Sequence, residues 1–194
     1  MTFEPMVKHI PVGQSGKAEI QHFHVGEKER YSMVLREAAT KGREVATPMG
    51  DYCRLLINGQ IVMSDTYLEE LTNREVVYQT RGHVLIAGLG LGYILVPMLH
   101  KETVRSITVI EKHQDVIDLV GPRFKDRRLT ILLGDIFKWK PEKGASYDVI
   151  YFDIWPAICS TNLKDMARLE RRFRPFKSEN GWMGSWAKTQ CRRQ

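Results

Sequence analysis

The stretch His83-Val-Leu-Ile-Ala-Gly-Leu-Gly-Leu-Gly-Tyr93 decides the fold: a continuous apolar strand runs into three alternating glycines, Gly88, Gly90 and Gly92, and then into an apolar helical segment. Glycine has no Cβ, so the chain can turn sharply there and its backbone can approach a bound nucleotide. Such a turn alone is weak evidence, because tight strand-to-helix connections need glycine even where nothing binds. Its weight comes from the strands downstream.

Beyond the glycines, strand-like and helix-like segments alternate. Val84 to Ala87, Ser106 to Ile110, Leu129 to Leu133 and Tyr147 to Phe152 are the strands, and this order is the signature of parallel βαβ units. Their apolar runs, without alternation, fit strands covered on both faces by helices, which predicts an α/β fold with a doubly wound, mostly parallel, Rossmann-like sheet. Three of these strands end in an acid: SITVIE in Glu111, LTILLGD in Asp135 and YDVIYFD in Asp153. In an open α/β sheet that edge is where ligands bind. Glu111 lies about 20 residues beyond the glycines, where a carboxylate can accept hydrogen bonds from both ribose hydroxyls; the plainer reading is a solubilising charge at a strand end.

Two nucleotide motifs fail. A dinucleotide fingerprint counted from Gly88 and Gly90 needs glycine where Tyr93 stands. A Walker loop at Gly13-Gln-Ser-Gly16-Lys17 has Pro11 in place of its first glycine and Ala18 in place of the magnesium-binding hydroxyl. Pro97 falls about a turn into the helix expected after the glycines, where it should kink or delay that helix.

AGLGLG, VIE, GD and YDVIYFD together resemble the successive nucleotide-site motifs of class I S-adenosylmethionine-dependent methyltransferases, over residues 82 to 155. Upstream, LLINGQIVMSDTYLEE resembles the N-terminal hairpin and helix of the spermidine synthase group, which extends the likeness to residue 51. The resemblance implies S-adenosylmethionine as cofactor, with Gly88, Gly90 and Gly92 facing its methionine portion. Glu111 would hold the ribose, and Asp135 with Ile136 would address the adenine. Departures from the pattern bear on the reaction. Leu91 stands where the spermidine synthases carry an aspartate for the cofactor amine, and Pro156 where they carry a second aspartate beyond the fourth strand. Ile86 replaces the acid that methyltransferases usually place two residues before the first glycine. Asp153-Ile-Trp-Pro156 has acid, proline and aromatic in a different order from the tetrapeptide of amino-methylating enzymes.

The resulting expectation is a methyltransferase passing a methyl group in line to an unidentified acceptor, with Asp153 the candidate catalytic residue and Trp155 a pocket wall. Aminopropyl transfer and non-catalytic S-adenosylmethionine binding are the alternatives.

Residues 1–80 read as a small α+β subdomain and 81–194 as the cofactor domain. The subdomain offers a strand over Ala18 to Val25 and a helix over Glu27 to Lys41 with Tyr31, Val34, Leu35 and Ala38 at helical spacing. Tyr52 to Ile57 and Gln60 to Ser64 flank Asn58-Gly59, a type I′ hairpin signal. A helix from Tyr67 to Gln79 comes next, with Asp65 or Thr66 as its cap and Glu69 and Glu70 in the first turn, where the helix dipole favours acids. Beyond the fourth strand come a helix from Asn162 to Phe173 and a strand-like Gly181 to Ala187, which makes a core shortened at its C-terminal end to about five strands. The exposed edge would suit a second copy of the chain or the hairpin, so a homodimer is an expectation.

Hydrophobic content of 43% against 27% charged residues is that of a folding, globular chain. The longest apolar run, Val84 to Leu99, is shorter than the roughly 18 residues a membrane helix needs, and MTFEPMVKHI lacks the apolar core of a secretory signal. Cys53, Cys159 and Cys191 form no CxxC pair, so neither disulfides nor zinc are expected and the cytoplasm is the default compartment. His22 and His24 share a strand face but lack a third ligand, so no metal site is assigned. The net charge of +6 gathers late, in Arg168, Arg171, Arg172, Arg174, Lys177, Lys188, Arg192 and Arg193. Without interleaved aromatics this reads first as a solvated surface and second as a nucleic-acid contact.

Overall fold

The computed structural model describes residues 3–40 and 45–193. The N-terminal sheet is antiparallel, in the order β1 (Gly13–Ser15), β2 (Ala18–Val25), β3 (Gly50–Ile57) and β4 (Gln60–Ser64). Asn58 and Gly59 turn the hairpin at φ 52° and 75°, the two positive values a type I′ turn needs, and Ile57 pairs with Gln60 across it. Ala18 and Ile20 of β2 and Cys53 and Leu55 of β3 are buried on one face.

Between β2 and β3 lies α1 (Glu27–Ala39), and the end expected for it at Lys41 falls outside the described residues. Its apolar stripe has the spacing of a packed face, yet no residue of α1 is buried, and Tyr31 is 66% exposed. Helical spacing specifies a face, not a neighbour to cover it. In α2 (Tyr67–Gln79) the N-cap is Thr66, without a side-chain capping bond. Asp65 has another use. Its carboxylate is buried and accepts the Met6 N–H at 2.6 Å and the Cys53 N–H at 2.6 Å, tying the N-terminal segment to β3.

The second sheet is fully parallel, in the order β7-β6-β5-β8-β9, where β5 is Gly82–Ala87, β6 Val104–Glu111, β7 Leu129–Leu133, β8 Tyr147–Phe152 and β9 Lys177–Ser185. Connecting helices are α3 (Leu95–Leu99), α4 (Gln114–Val120) and α5 (Asn162–Phe173), and α6 (Lys188–Cys191) comes after β9. Both faces of its centre are buried. Val84 and Ile86 with Val149 and Tyr151 join the cluster that includes Val76 and Val77 of α2, while Leu85, Ala87, Ile150 and Phe152 pack with Leu169 and Phe173 of α5. Strand alternation thus feeds two apolar layers, as a doubly wound sheet requires. Truncating Phe173, which is fully buried, would cost about 3–5 kcal/mol.

Two edges depart from the sequence reading. The apolar run of β7 predicts cover on both faces, but Leu132 and Leu133, which alternate to opposite faces at the end of this edge strand, are 38% and 56% exposed, and the connection over residues 134–146 forms no helix that would cover one of them. The last strand begins four residues earlier than expected, at Lys177, and ends at Ser185. Ala187 then turns at φ 49° into α6. Pro97 costs no helical bond: α3 starts only at Leu95, so Pro97 sits in the first turn, where N–H groups lack intrahelical partners. No helix among the described residues is long and apolar enough to cross a membrane.

Candidate functional site

Register brings the acids together. Ala87 of β5 pairs with Ile110 of β6 on one side and Phe152 of β8 on the other, and Glu111 pairs with Leu133. Gly88, Glu111 and Asp153 therefore leave the sheet at one level, with Asp135 two residues past the end of β7. All four line one cleft of about 800 Å³, together with Gly90, Ile136, Met63 of β4, Glu69 of α2, Trp155 and Trp186. Gly92 is absent from its walls.

The glycine turn is shaped by protein contacts as much as by room for a ligand. Gly88, Gly90 and Gly92 have φ of 97°, 52° and 69°, all in the region that favours glycine. A Cβ on Gly88 would strike the Asp153 carbonyl oxygen, one on Gly90 the Met63 sulfur, and one on Gly92 the Phe124 ring. The Leu91 N–H points at Met63 Sδ, 3.3 Å away. Leu91 itself is fully buried in the core, so its side chain is not a wall of the cleft.

Glu111 is 6% exposed and ties two turns together: Oε2 accepts the Leu89 N–H at 2.7 Å and Oε1 the His113 N–H at 2.8 Å. Each carboxylate oxygen keeps a second lone pair. Asp135 begins a tight turn in which Oδ1 accepts the Phe137 N–H at 2.9 Å and its carbonyl accepts from Lys138 and Trp139 at 2.8 and 2.7 Å. Ile136 is buried beneath that turn.

Asp153 faces a second acid that sequence reading missed. Glu69 suits the helix dipole in the first turn of α2, but its role is more specific. Its Oε1 accepts the Asn73 amide at 2.9 Å, and Asn73 Oδ1 in turn accepts the Tyr151 hydroxyl at 2.8 Å. The spacing carried the signal: Glu69, Asn73 and Val76 lie at i, i+4 and i+7, on the face that packs on β8. Burial pushes the Asp153 carboxyl up to about 7. Burial first, and then the Asp153 charge, push Glu69 well above the usual carboxylate range. Asp153 is thus placed to hold a proton at a pH where an ordinary aspartate has lost it.

The remaining candidates lie apart. His22 Nε2 bonds the Ile10 carbonyl at 2.8 Å, His24 pairs with Asp51 at 2.7 Å, and no group of three or more potential metal ligands occurs among the described residues. The basic C-terminal set divides. Arg172 turns inward on the Asp135 loop, Lys177 donates to the Ser178 and Gly181 carbonyls and Lys188 meets Glu170 at 2.5 Å, whereas Arg168, which lies over the Phe137 ring, is exposed, as are Arg171, Arg174, Arg192 and Arg193.

No family model and no curated protein matches the chain. Solved structures do. The SMU.776 protein, provisionally assigned as a methyltransferase and crystallised with S-adenosylhomocysteine, superimposes with a TM-score of 0.53 at 18% identity, over 70% of this chain and 39% of that one. The core has the Rossmann-like fold of these methyltransferases. A protein of Streptococcus mutans, provisionally assigned as S-adenosylmethionine-dependent methyltransferase, matches with a TM-score of 0.52 at 15% identity, over 89% of this chain and 42% of that one. The chain therefore spans about two fifths of the length of these relatives.

Proposed function

We propose that the cleft binds S-adenosylmethionine and that the chain is a methyltransferase. One observation carries this reading: the parallel register delivers the glycine turn, Glu111, Asp135 and Asp153 to a single edge and a single cleft. A volume of about 800 Å³ suits a nucleoside-sized ligand. Glu111 is fixed by two backbone bonds and retains lone pairs for the two ribose hydroxyls. Ile110, Ile136 and Phe137 give apolar surface for a base, beside the Asp135 carboxylate. Gly88 and Gly90 are the turn residues on the methionine side.

When bound, the cofactor supplies an electrophilic methyl on a sulfonium, and the protein supplies alignment. Asp153, beside Glu69, accepts the proton an acceptor nucleophile gives up. Trp155 and Trp186 wall the acceptor side of the cleft, where an indole face also favours a sulfonium. Residues 1–80 act in this reading as the subdomain that roofs the site through β4 and α2, and 81–194 as the cofactor domain.

Aminopropyl transfer is the second reading, favoured by the hairpin that lines the cleft with Ile61, Val62 and Met63, as the resemblance to the spermidine synthase group implies. Pro156 counts against it, since it leaves no second acid beyond β8.

Calorimetry with S-adenosylmethionine, S-adenosylhomocysteine and decarboxylated S-adenosylmethionine tests both. Binding of the first two that is lost in Glu111→Ala and Asp135→Ala supports the methyltransferase. Preference for the decarboxylated form favours aminopropyl transfer, and no binding overturns both.

A further inference from the structure

The wall around Asp135 and Ile136 lacks the support that a helix would give it. Residues 134–146 connect β7 to β8 as turns, and β7 is an edge strand with no neighbouring strand on its outer side among the described residues. The fixed points of this wall come from α5 instead. Arg172 Nη1 donates to the Ile136 carbonyl at 2.6 Å and Nη2 to the Trp139 carbonyl at 2.5 Å. One helical turn earlier, the Arg168 guanidinium lies over the Phe137 ring, 5.4 Å from its centroid. Trp139 stacks on Phe173 at 6.4 Å and 5°.

We propose that Arg172 is a positioning residue: its fork on the Ile136 and Trp139 carbonyls sets the wall that selects the base of the bound nucleoside. This rests on the adenosyl reading of the cleft. Arg172 does not line the cleft, whereas Asp135, Ile136 and Phe137 do, so it acts through the loop backbone. The two carbonyls belong to residues three apart in a tight turn, and a planar guanidinium bridges both at once. An ammonium is a single point charge and does not reproduce the fork. The anchor is itself rigid, because Met166, Leu169 and Phe173 bury the adjoining face of α5 and the guanidinium lies over the Phe173 ring, 5.1 Å from its centroid. A basic residue that composition assigns to solvent or to a polyanion is thereby assigned to the site.

The test compares the full chain with its Arg172→Gln and Arg172→Lys variants by two measurements. Hydrogen exchange at the amides of residues 136–140 is expected to rise about ten-fold or more in both variants, with the β8 amides unchanged. Calorimetric affinities for S-adenosylhomocysteine and S-inosylhomocysteine, which differ only in the base, report selection. The parent is expected to prefer the adenine ligand, and both variants to lose about ten-fold of that preference. Variants that melt lower yet keep the parental base preference and loop protection would show Arg172 to be only a helix anchor, and the proposal would fall. A parent that binds neither ligand overturns the adenosyl reading and this inference with it, whereas a parent that binds both equally overturns this inference alone.

Discussion

The Leu89 N–H donates to Glu111 Oε2 at 2.7 Å, so the middle of the glycine turn is held by the acid that ends the neighbouring strand. The other oxygen holds the His113 N–H, at the start of α4. Two loops that line the cleft share one carboxylate.

Glu111→Gln should therefore affect stability as well as binding. An amide presents one acceptor and one donor group, so either Leu89 or His113 must face an NH₂. The expected cost is about 1–3 kcal/mol in denaturant unfolding, with nucleoside affinity lost in calorimetry. Unchanged stability would mean that the carboxylate does not organise the turn.

The glycines should not be equivalent. A Cβ at Gly88 meets the fixed Asp153 carbonyl, whereas one at Gly90 meets the flexible end of Met63. Gly90→Ala should cost about 1–2 kcal/mol, the penalty of an L-residue at positive φ. Gly88→Ala should add to this the displacement of β8's end and fold poorly, if at all. Thermal melts of the two variants, side by side, check the order.

Much of this was legible in the sequence because periodicity and turn chemistry are local. The Asn58-Gly59 hairpin, the helices over Tyr67–Gln79 and Asn162–Phe173 and the strands Leu129–Leu133 and Tyr147–Phe152 arise from patterns a few residues long. The convergence of Glu111, Asp135 and Asp153 was readable too, since parallel strands that end in acids share an edge. What the sequence withheld depends on partners distant along the chain. Asp65 looks like a cap until Met6 and Cys53 are seen to claim its oxygens. Tyr31, Val34 and Leu35 have the spacing of a buried face, yet all three stay exposed. Met63 and Arg172 reach the site across turns and helices whose placement no local pattern encodes.

Asp153 should leave a signature in stability against pH. Its carboxyl rises from an ordinary value of 3.8 to about 7 in the folded chain, chiefly through burial. Between those values the folded state holds more protons on Asp153 than the unfolded one, so the Asp153 contribution to stability falls as pH rises from about 4 to about 7 and then levels. Asp153→Asn, neutral at every pH, should make that part of the curve shallower, leaving the slope due to Glu69, and be more stable than the parent at pH 8 relative to pH 5. Guanidinium unfolding at the two pH values reads this directly. Parallel curves for parent and variant would show that Asp153 ionises normally.

Met63 offers a test of what the glycine turn is for. Its sulfur accepts the Leu91 N–H at 3.3 Å, and a thioether is a weak acceptor, so a ligand carboxylate could displace it at small cost. If the methionine end of the cofactor occupies this place, Met63→Leu should remove the competitor while keeping apolar bulk against Gly90. S-adenosylhomocysteine, which carries the carboxylate, is then expected to bind a few-fold tighter, since each 1.4 kcal/mol is about ten-fold and a sulfur bond is worth less than that. 5′-Methylthioadenosine, which lacks the carboxylate, should bind as it does to the parent. An equal change for both ligands would assign Met63 to packing over Gly90, and no change for either would place the ligand's tail elsewhere in the cleft.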